Sequence, residues 1–286
     1  MLILGRMQLG KVLSPINKMT KTTREITAEN LDIRLDVSNT EYELKELAQT
    51  TNEMIDSFQN SYERQERFVS DVSYELRTPI SVISGYANML QRWGSNDKEI
   101  LEESVNSIIF ETENMKNMVN RLLFLAKHDK RNLTYNMESL NLSNLADTII
   151  RDYEVSNSDV KIISKIEDSI EIYADEFRII EVVRTIVDNA IKYSNKDNSI
   201  IEINLQKEGK SAILSIKDNG IGMKDKDLKN VFDRFYRSDE SRNKETGGMG
   251  LGLSIAKAIV LDHGGKIIVR TKENKGSEFK IYLPLA

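Results

Sequence analysis

Asp188-Asn189-Ala190-Ile191-Lys192-Tyr193, Asp218-Asn219-Gly220-Ile221-Gly222-Met223 and Gly247-Gly248-Met249-Gly250-Leu251-Gly252-Leu253 follow one another in the second half of a 286-residue chain. Phe232-Asp233-Arg234-Phe235-Tyr236-Arg237 stands between the last two, and Gly276-Ser277-Glu278-Phe279 comes after them. Each run has a physical use. The carboxamide of Asn189 offers an oxygen to a hard cation such as Mg2+, which takes oxygen ligands and accompanies phosphate. A buried Asp218 at a strand end accepts hydrogen bonds from an exocyclic amine such as that of adenine. Gly220 and Gly222 let backbone approach a flat base. Gly248, Gly250 and Gly252 stand where a helix opens near Leu251, and backbone N–H groups there suit phosphate. Lys192 adds a cation close to Asn189. Any one of these runs is commonplace, since a lone Gly-x-Gly is usually a turn. Their joint order is what points to a nucleotide.

Composition closes off other chemistries. There are no cysteines and only 2 histidines, so disulfides, thiolate nucleophiles and His-rich metal sites are excluded. Lys and Arg total 40 against 45 Asp and Glu, a net charge of -5, which argues against a nucleic-acid binder driven by bulk charge. Hydrophobic residues make up 40%, enough to bury real cores. The length suits about two folded domains plus connectors. No apolar stretch approaches the roughly 18–20 residues needed to span a bilayer. Met1 to Gly5 is a short apolar start without signal-peptide architecture, read either as a frayed end or as the cytoplasmic stub of a membrane helix.

The elements that must position these residues differ between the halves. From about Lys11 to Lys130 a near-heptad period predicts long helices. Leu44, Leu47, Thr51, Met54 and Phe58 make one stripe; Phe68, Val72, Leu76, Ile80 and Ile83 continue it. Val105, Ile108, Met115, Met118, Leu122 and Leu125 make another. Narrow stripes flanked by charge suit coiled coils and bundles. An extended connector is expected over 29–36, followed by Ser38-Asn39-Thr40, and a hairpin turn at Trp93-Gly94-Ser95-Asn96-Asp97. Such a hairpin completes its core by dimerising into a four-helix bundle. Beyond about Asn132, strands are predicted at 160–166, 170–173, 200–205, 212–216, 266–271 and 278–283. Helices are predicted near 143–153, 176–193 and 251–262. The fold class is therefore multidomain: an all-α coiled-coil and four-helix-bundle dimerisation region, then an α/β two-layer sandwich.

The motif order resembles the ATP-binding domain of sensor histidine kinases, within the gyrase, chaperone, kinase and mismatch-repair ATPase superfamily. That resemblance covers roughly residues 140–285. It implies a Bergerat-type fold with a lid from about Phe232 to Gly250, and ATP and Mg2+ as cofactors. It assigns Mg2+ to Asn189, adenine to Asp218, and the base edge to Gly220 and Gly222. Gly248, Gly250, Leu251 and Gly252 fall near phosphate, with Lys192, Tyr193 and Arg237 as phosphate or lid contacts. Phe68-Val69-Ser70-Asp71-Val72-Ser73-Tyr74-Glu75-Leu76-Arg77-Thr78-Pro79-Ile80 is similar to the phosphoacceptor box of the same kinases. Val12-Leu13-Ser14-Pro15-Ile16, Glu43 to Ala48 and Asn52-Glu53-Met54 resemble a HAMP signal-relay module. The implied organisation is a HAMP-like segment at 1–60, a HisKA-like hairpin at 61–130 and a HATPase_c-like domain at 135–286. A homodimer, a response-regulator receiver domain as partner and a cytoplasmic position beneath a membrane anchor follow from the resemblance; nucleic acid does not.

Two positions depart from the family. Its phosphorylated histidine falls where this chain has Tyr74. An imidazole is nucleophilic at neutral pH and forms a labile P–N bond. A phenol, with a pKa of about 10, stays protonated and makes a poor phosphoryl donor. Glu75 is the neighbouring base with an unsuitable partner. His128 and His263 stand at helix ends, where capping roles are expected. Thr185 replaces an asparagine that the family places one helical turn before Asn189. Three functions stay open on the sequence. The first is a sensor kinase portion inactive in autophosphorylation. The second is an ATP-sensing non-kinase dimer or response-regulator phosphatase, for which Thr78 on the face of Tyr74 is the needed residue. The third is an ATPase or serine kinase of the superfamily.

Overall fold

The computed structural model describes residues 15–27, 30–36, 42–93, 97–130, 132–157, 159–195, 198–238 and 248–286. The expectations for Met1 to Gly5, Val12 to Ser14, Glu29, Ser38 to Thr40, Gly94 to Asn96, Gly247 and the 239–246 stretch of the lid lie outside these residues. The chain divides into two compact units, Met1–Thr78 and Pro79–Ala286. This division does not follow the sequence boundaries near 60 and 130. The helix that crosses residue 60 is unbroken, and the end of the hairpin is buried with the second half's core.

In the first unit, residues 15–25 form helix α1. Residues 30–36 have no regular helix, as the alternating pattern predicts. Helix α2 (Tyr42–Trp93) follows. Leu35, Ala48 and Ile55 are buried. Asn52 fastens the connector to α2: its Oδ1 accepts from Leu35 N–H at 2.8 Å and its Nδ2 donates to Leu35 O at 3.0 Å. The connector thus uses the stripe beside the predicted one. Leu47, Met54 and Phe58 stay exposed within one chain.

In the second unit, α3 (Lys98–Asp129) starts at Asp97, whose side chain accepts from Glu99 N–H and Ile100 N–H. That cap satisfies two of the four N–H groups a helix start leaves open. The strands are β1 (Glu138–Asn141), β2 (Val160–Ile166), β3 (Glu171–Ala174), β4 (Ser199–Glu208), β5 (Ser211–Asp218), β6 (Lys266–Lys272) and β7 (Gly276–Pro284). β1 pairs with β3; the main sheet has order β2-β4-β5-β7-β6, parallel only between β2 and β4. Helices α4 (Leu142–Ser156), α5 (Glu176–Tyr193), α6 (Asp225–Leu228) and α7 (Gly252–Asp262) complete the unit. The α5 span and the β2 span coincide with the sequence prediction. β1 and α6, four residues each, were not predicted.

Alternation decides which sheet face is covered. Ile201, Ile203 and Leu205 of β4 and Phe279, Ile281 and Leu283 of β7 join the core. The other face carries Glu202, which pairs with Lys217 at 2.9 Å, and Glu278, which accepts from Ser215 Oγ at 2.9 Å. A sheet covered by one helical layer requires this pattern. Phe124 and Leu125 of α3 belong to the same core, at 7% and 1% exposed. Each such burial contributes about 1.5–3 kcal/mol. Asp129, at the end of α3, receives both Arg234 nitrogens at 2.8 and 2.6 Å. That hydrogen-bonded guanidinium holds the Asp129 carboxyl below its usual range, against a smaller opposing effect of burial. Tyr135 donates to Asp262, and its phenol is pushed up by burial first and by that carboxylate second.

Two glycines forecast opposite responses to a methyl group. Gly85 is exposed in α2 with no atom within 4 Å of an added Cβ. Gly85→Ala is expected to stabilise the helix by about 1 kcal/mol. Gly276 has φ +88 and its Cβ would lie 1.9 Å from Asp218 O. Gly276→Ala is expected to cost about 3 kcal/mol or more. Urea unfolding checks both, with the single tryptophan, Trp93, reporting on the hairpin and circular dichroism on the whole.

Candidate nucleotide site

Helix α5 carries two stripes with one spacing. Ile179, Val182, Val183, Ile186, Val187 and Ala190 are buried toward the sheet. Thr185, Asp188, Asn189 and Lys192 recur at the same intervals along the adjoining face and line a cleft of about 290 Å³. A 3.6-residue period makes both faces from one run. The cleft also takes Asp218 and Gly222 from the end of β5 and its loop, and Tyr236 and Arg237 from the segment after α6. Gly248 and Gly250 before α7 and Gly252 at its first position close it, and Tyr193 and Ser277 also reach it.

Asp218 is 5% exposed. Burial raises its carboxyl pKa, while hydrogen bonds from the backbone of Gly220 and Ser277 work the other way. Gly220 N–H reaches Oδ1 at 2.8 Å. Asn219, between them, has a different role. Its Oδ1 accepts from Ile200 N–H at 3.1 Å and its Nδ2 donates to Asn198 O at 2.6 Å, which fixes the start of β4.

The glycines have a nearer purpose than admitting a base. A Cβ on Gly220 would lie 1.9 Å from Tyr193 O, and one on Gly222, at φ +63, would lie 2.1 Å from Lys272 O. Gly220 is buried and does not line the cleft. Leu251 does not line it either; its side chain is fully buried in the core. Any contact Leu251 makes with a ligand is confined to its backbone. Gly252 packs against Thr185, whose Cγ2 would lie 2.9 Å from an added Cβ. An added Cβ on Gly248 would lie 3.0 Å from Lys192 Nζ, so the closing glycines and that ammonium are neighbours. Lys192 Nζ also lies 5.0 Å from the Tyr193 ring centre.

Sequence reasoning passed over several lining residues. Asp188 accepts from Tyr153 OH. Asp227 is buried and accepts from Tyr236 OH at 2.6 Å. Asp188 was legible from its place in the α5 stripe; Asp227 and Arg121, which also lines the cleft, had no local signal. α7 has no side-chain cap hydrogen bond at Leu251. Its first N–H groups therefore face the closing glycines without a capping side chain, a setting that favours anions. Among the described residues no cluster of three acidic or histidine ligands could hold a metal. Asn189, the one carboxamide among the described lining residues, fits a cation that arrives with phosphate and keeps its waters.

Tyr74, Glu75 and Thr78 lie on α2 in the other unit. Tyr74 is 63% exposed with the Arg77 guanidinium 5.1 Å from its ring centre. Thr78 is exposed one turn on, and Glu75 is half-buried. Pro79 stands inside the helix and has no N–H to offer the carbonyl one turn back. His263 is buried at the α7 end; Nε2 accepts from Asp175 N–H at 3.0 Å and Nδ1 meets Ile259 O at 2.7 Å. His128 lies near the end of α3, close to Asp262. Neither histidine occupies the α2 box.

Three family profiles match the chain. Residues 9–60 match the HAMP domain, residues 64–131 the His Kinase A (phospho-acceptor) domain, and residues 174–286 the histidine kinase-, DNA gyrase B-, and HSP90-like ATPase. The sensor histidine kinase YkoH of Bacillus subtilis is 35% identical over 276 residues, 96% of this chain and 60% of that protein. The signal transduction histidine-protein kinase ArlS of Staphylococcus aureus is 34% identical over 272 residues, 95% of this chain and 60% of its own length. The chain therefore spans about 60% of these relatives. Two solved structures share the fold. Acinetobacter baumannii histidine kinase AdeS has a TM-score of 0.59 at 24% identity, covering 74% of this chain and 98% of that one. The histidine kinase ThkA, solved with the response regulator protein TrrA, has a TM-score of 0.60 at 23% identity, covering 80% of this chain and 66% of that one.

The raised pKa of Asp218 sets a sign. The folded chain keeps this proton at pH values where the unfolded chain has lost it. Its stabilising contribution is complete below the ordinary value of 3.8 and is lost as pH rises through the higher folded value. Asp218→Asn is expected to remove that dependence. Denaturant midpoints of both proteins across this acid range check it: the wild type should lose ground to the variant as pH rises.

Proposed function

This chain belongs to the sensor histidine kinases, and we propose that it is the dimeric, ATP-binding signalling portion of such a protein, with Tyr74 in the acceptor slot. The carrying observation is the single cleft that gathers Asn189, Lys192, Asp218, Arg237 and the closing glycines. In this reading the buried Asp218 carboxylate, held in place by Gly220 N–H, accepts from the adenine amine. Met223 and Phe279, which also line the cleft, flank the base. Lys192, Arg237 and the uncapped start of α7 meet the polyphosphate. Mg2+ would be held through Asn189 and would neutralise phosphate charge. Asn189 and Lys192 then orient the phosphates, one turn apart on α5.

Acceptor chemistry separates this chain from the family's reaction. A phenol oxygen is a weaker nucleophile than a neutral imidazole nitrogen, and its phosphate ester is a weaker phosphoryl donor than a P–N bond. We therefore assign no autophosphorylation to the chain as it stands. The dimer rests on the exposed apolar residues of the two hairpin helices, among them Val69, Ile80, Ile109, Phe110 and Val119. A second reading is a response-regulator phosphatase, favoured by Thr78 exposed on the Tyr74 face. Incubation with a phosphorylated receiver domain separates the two readings. Membrane association of a longer protein belongs to the same proposal and rests on the HAMP match. Among the described residues no helix is long and apolar enough to cross a membrane.

Calorimetry tests the nucleotide. Mg-ATP is expected to bind the wild type, and Asp218→Asn to weaken it at least about 10-fold, the scale of a hydrogen bond to a charged group. Equal affinities would remove Asp218 from the adenine site. The acceptor has its own test with labelled ATP. The wild type is expected to take no acid-labile, base-stable phosphate, and a Tyr74→His, Thr185→Asn double variant to take it on residue 74. A double variant that binds ATP, dimerises and stays unlabelled would overturn the assignment of the α2 box.

A further inference from the structure

Arg121 is the one lining residue of the cleft, among those described, that comes from α3; the rest lie at or beyond Thr185. Its position follows from how α3 is fixed. Met118 and Leu125 are buried, and Leu122 packs against the core. Leu122 and Leu125 pack against the nucleotide domain's core, and Arg121, itself exposed, adjoins them at the edge of that helix face. Phe124 and Leu125 sit within that domain's core, and Arg178 lies 4.7 Å from the Phe124 ring centre. One turn further, the Arg234 guanidinium grips Asp129 through two hydrogen bonds. A helix held at these points has little freedom to carry Arg121 away from the cleft mouth.

The chemistry of the cleft selects what a guanidinium there would meet. Its carboxylates already accept protein hydrogen bonds. Asp188 takes Tyr153 OH, Asp227 takes Tyr236 OH, and Asp218 takes Gly220 N–H. The adenine end is defined by that buried Asp218. The opposite chemistry, an anion, is served by Lys192 beside Gly248 and by the uncapped α7 start. A planar, permanently charged fork matches phosphate oxygens better than it matches a base.

We propose that Arg121 is a polyphosphate-binding residue of the nucleotide cleft, supplied by the hairpin helix rather than by the nucleotide domain. This rests on the reading of the cleft as an adenine-nucleotide site. It gives that site a direct link to α3: a nucleotide with phosphates fastens the helix end to the domain, and a nucleoside does not. By linkage, whatever pulls α3 away lowers nucleotide affinity by the same factor.

The test uses the full chain, with Mg-ATP and adenosine as probes, in calorimetry and in hydrogen exchange of α3. Arg121→Ala is expected to weaken Mg-ATP about 10-fold or more while leaving adenosine unchanged, with Arg121→Lys intermediate. Asn120→Ala, at an exposed polar position of the same helix, serves as the control and leaves both unchanged. Mg-ATP is expected to slow exchange over 118–129 in the wild type and not in Arg121→Ala; adenosine slows neither. Two outcomes overturn the assignment while leaving the nucleotide reading intact. One is unchanged Mg-ATP affinity in Arg121→Ala; the other is an equal loss for both probes, which marks a packing role. A wild type that binds neither probe overturns the nucleotide reading itself, and the Arg121 assignment with it.

Discussion

The second unit depends on three backbone segments lying closer together than side chains permit. Carbonyl Tyr193, at the end of α5, accepts from Ile221 N–H at 3.1 Å, across the space a Gly220 Cβ would fill. Ile221 O in turn accepts from Asn274 N–H at 2.7 Å, and Met223 N–H reaches Thr271 Oγ1 at 2.9 Å. Gly276 passes directly over Asp218 O. These contacts join the end of a helix, the loop after β5 and the β6–β7 turn into one rigid piece. The Asp218 carboxylate projects from that piece, so its aim is set by backbone and not by a rotamer. A buried carboxylate raised in pKa is tolerable only where its hydrogen bonds are fixed in this way.

Much of this was legible in the chain itself. α5 was readable end to end because two stripes of one period ran through it, and Asp175 caps its start by accepting from Arg178 N–H. β4 and β7 alternate apolar and polar residues, and that alternation gave both the strands and the covered face. β1 was not readable: four residues, with one buried side chain, carry no period. The glycines were identified correctly as special and explained incompletely. Their positions announce close approach, but a sequence does not say whether the approaching atoms are a ligand's or the protein's own carbonyls.

The same limit explains the residues that were missed. Asp227 and Arg121 owe their place to tertiary packing alone. Leu251 shows the reverse case, since a residue inside a glycine-rich run turned out to fill the core. In the first unit, Leu47, Met54 and Phe58 form the stripe that the period predicts, yet the connector docks beside it through Asn52. Periodicity finds an apolar face; it does not tell which neighbour covers it.

The main sheet is open, ending in β2 on one side and β6 on the other. Such borders present unpaired N–H and C=O groups that invite a strand from another molecule. β6 carries Lys266, Arg270 and Lys272 outward, and β2 carries Lys161 and Lys165. Two molecules meeting border to border would oppose like charges at several rungs. Solubility at high concentration is therefore written into side chains that do not line the cleft, and neutral replacements there carry an aggregation hazard that no activity measurement would reveal.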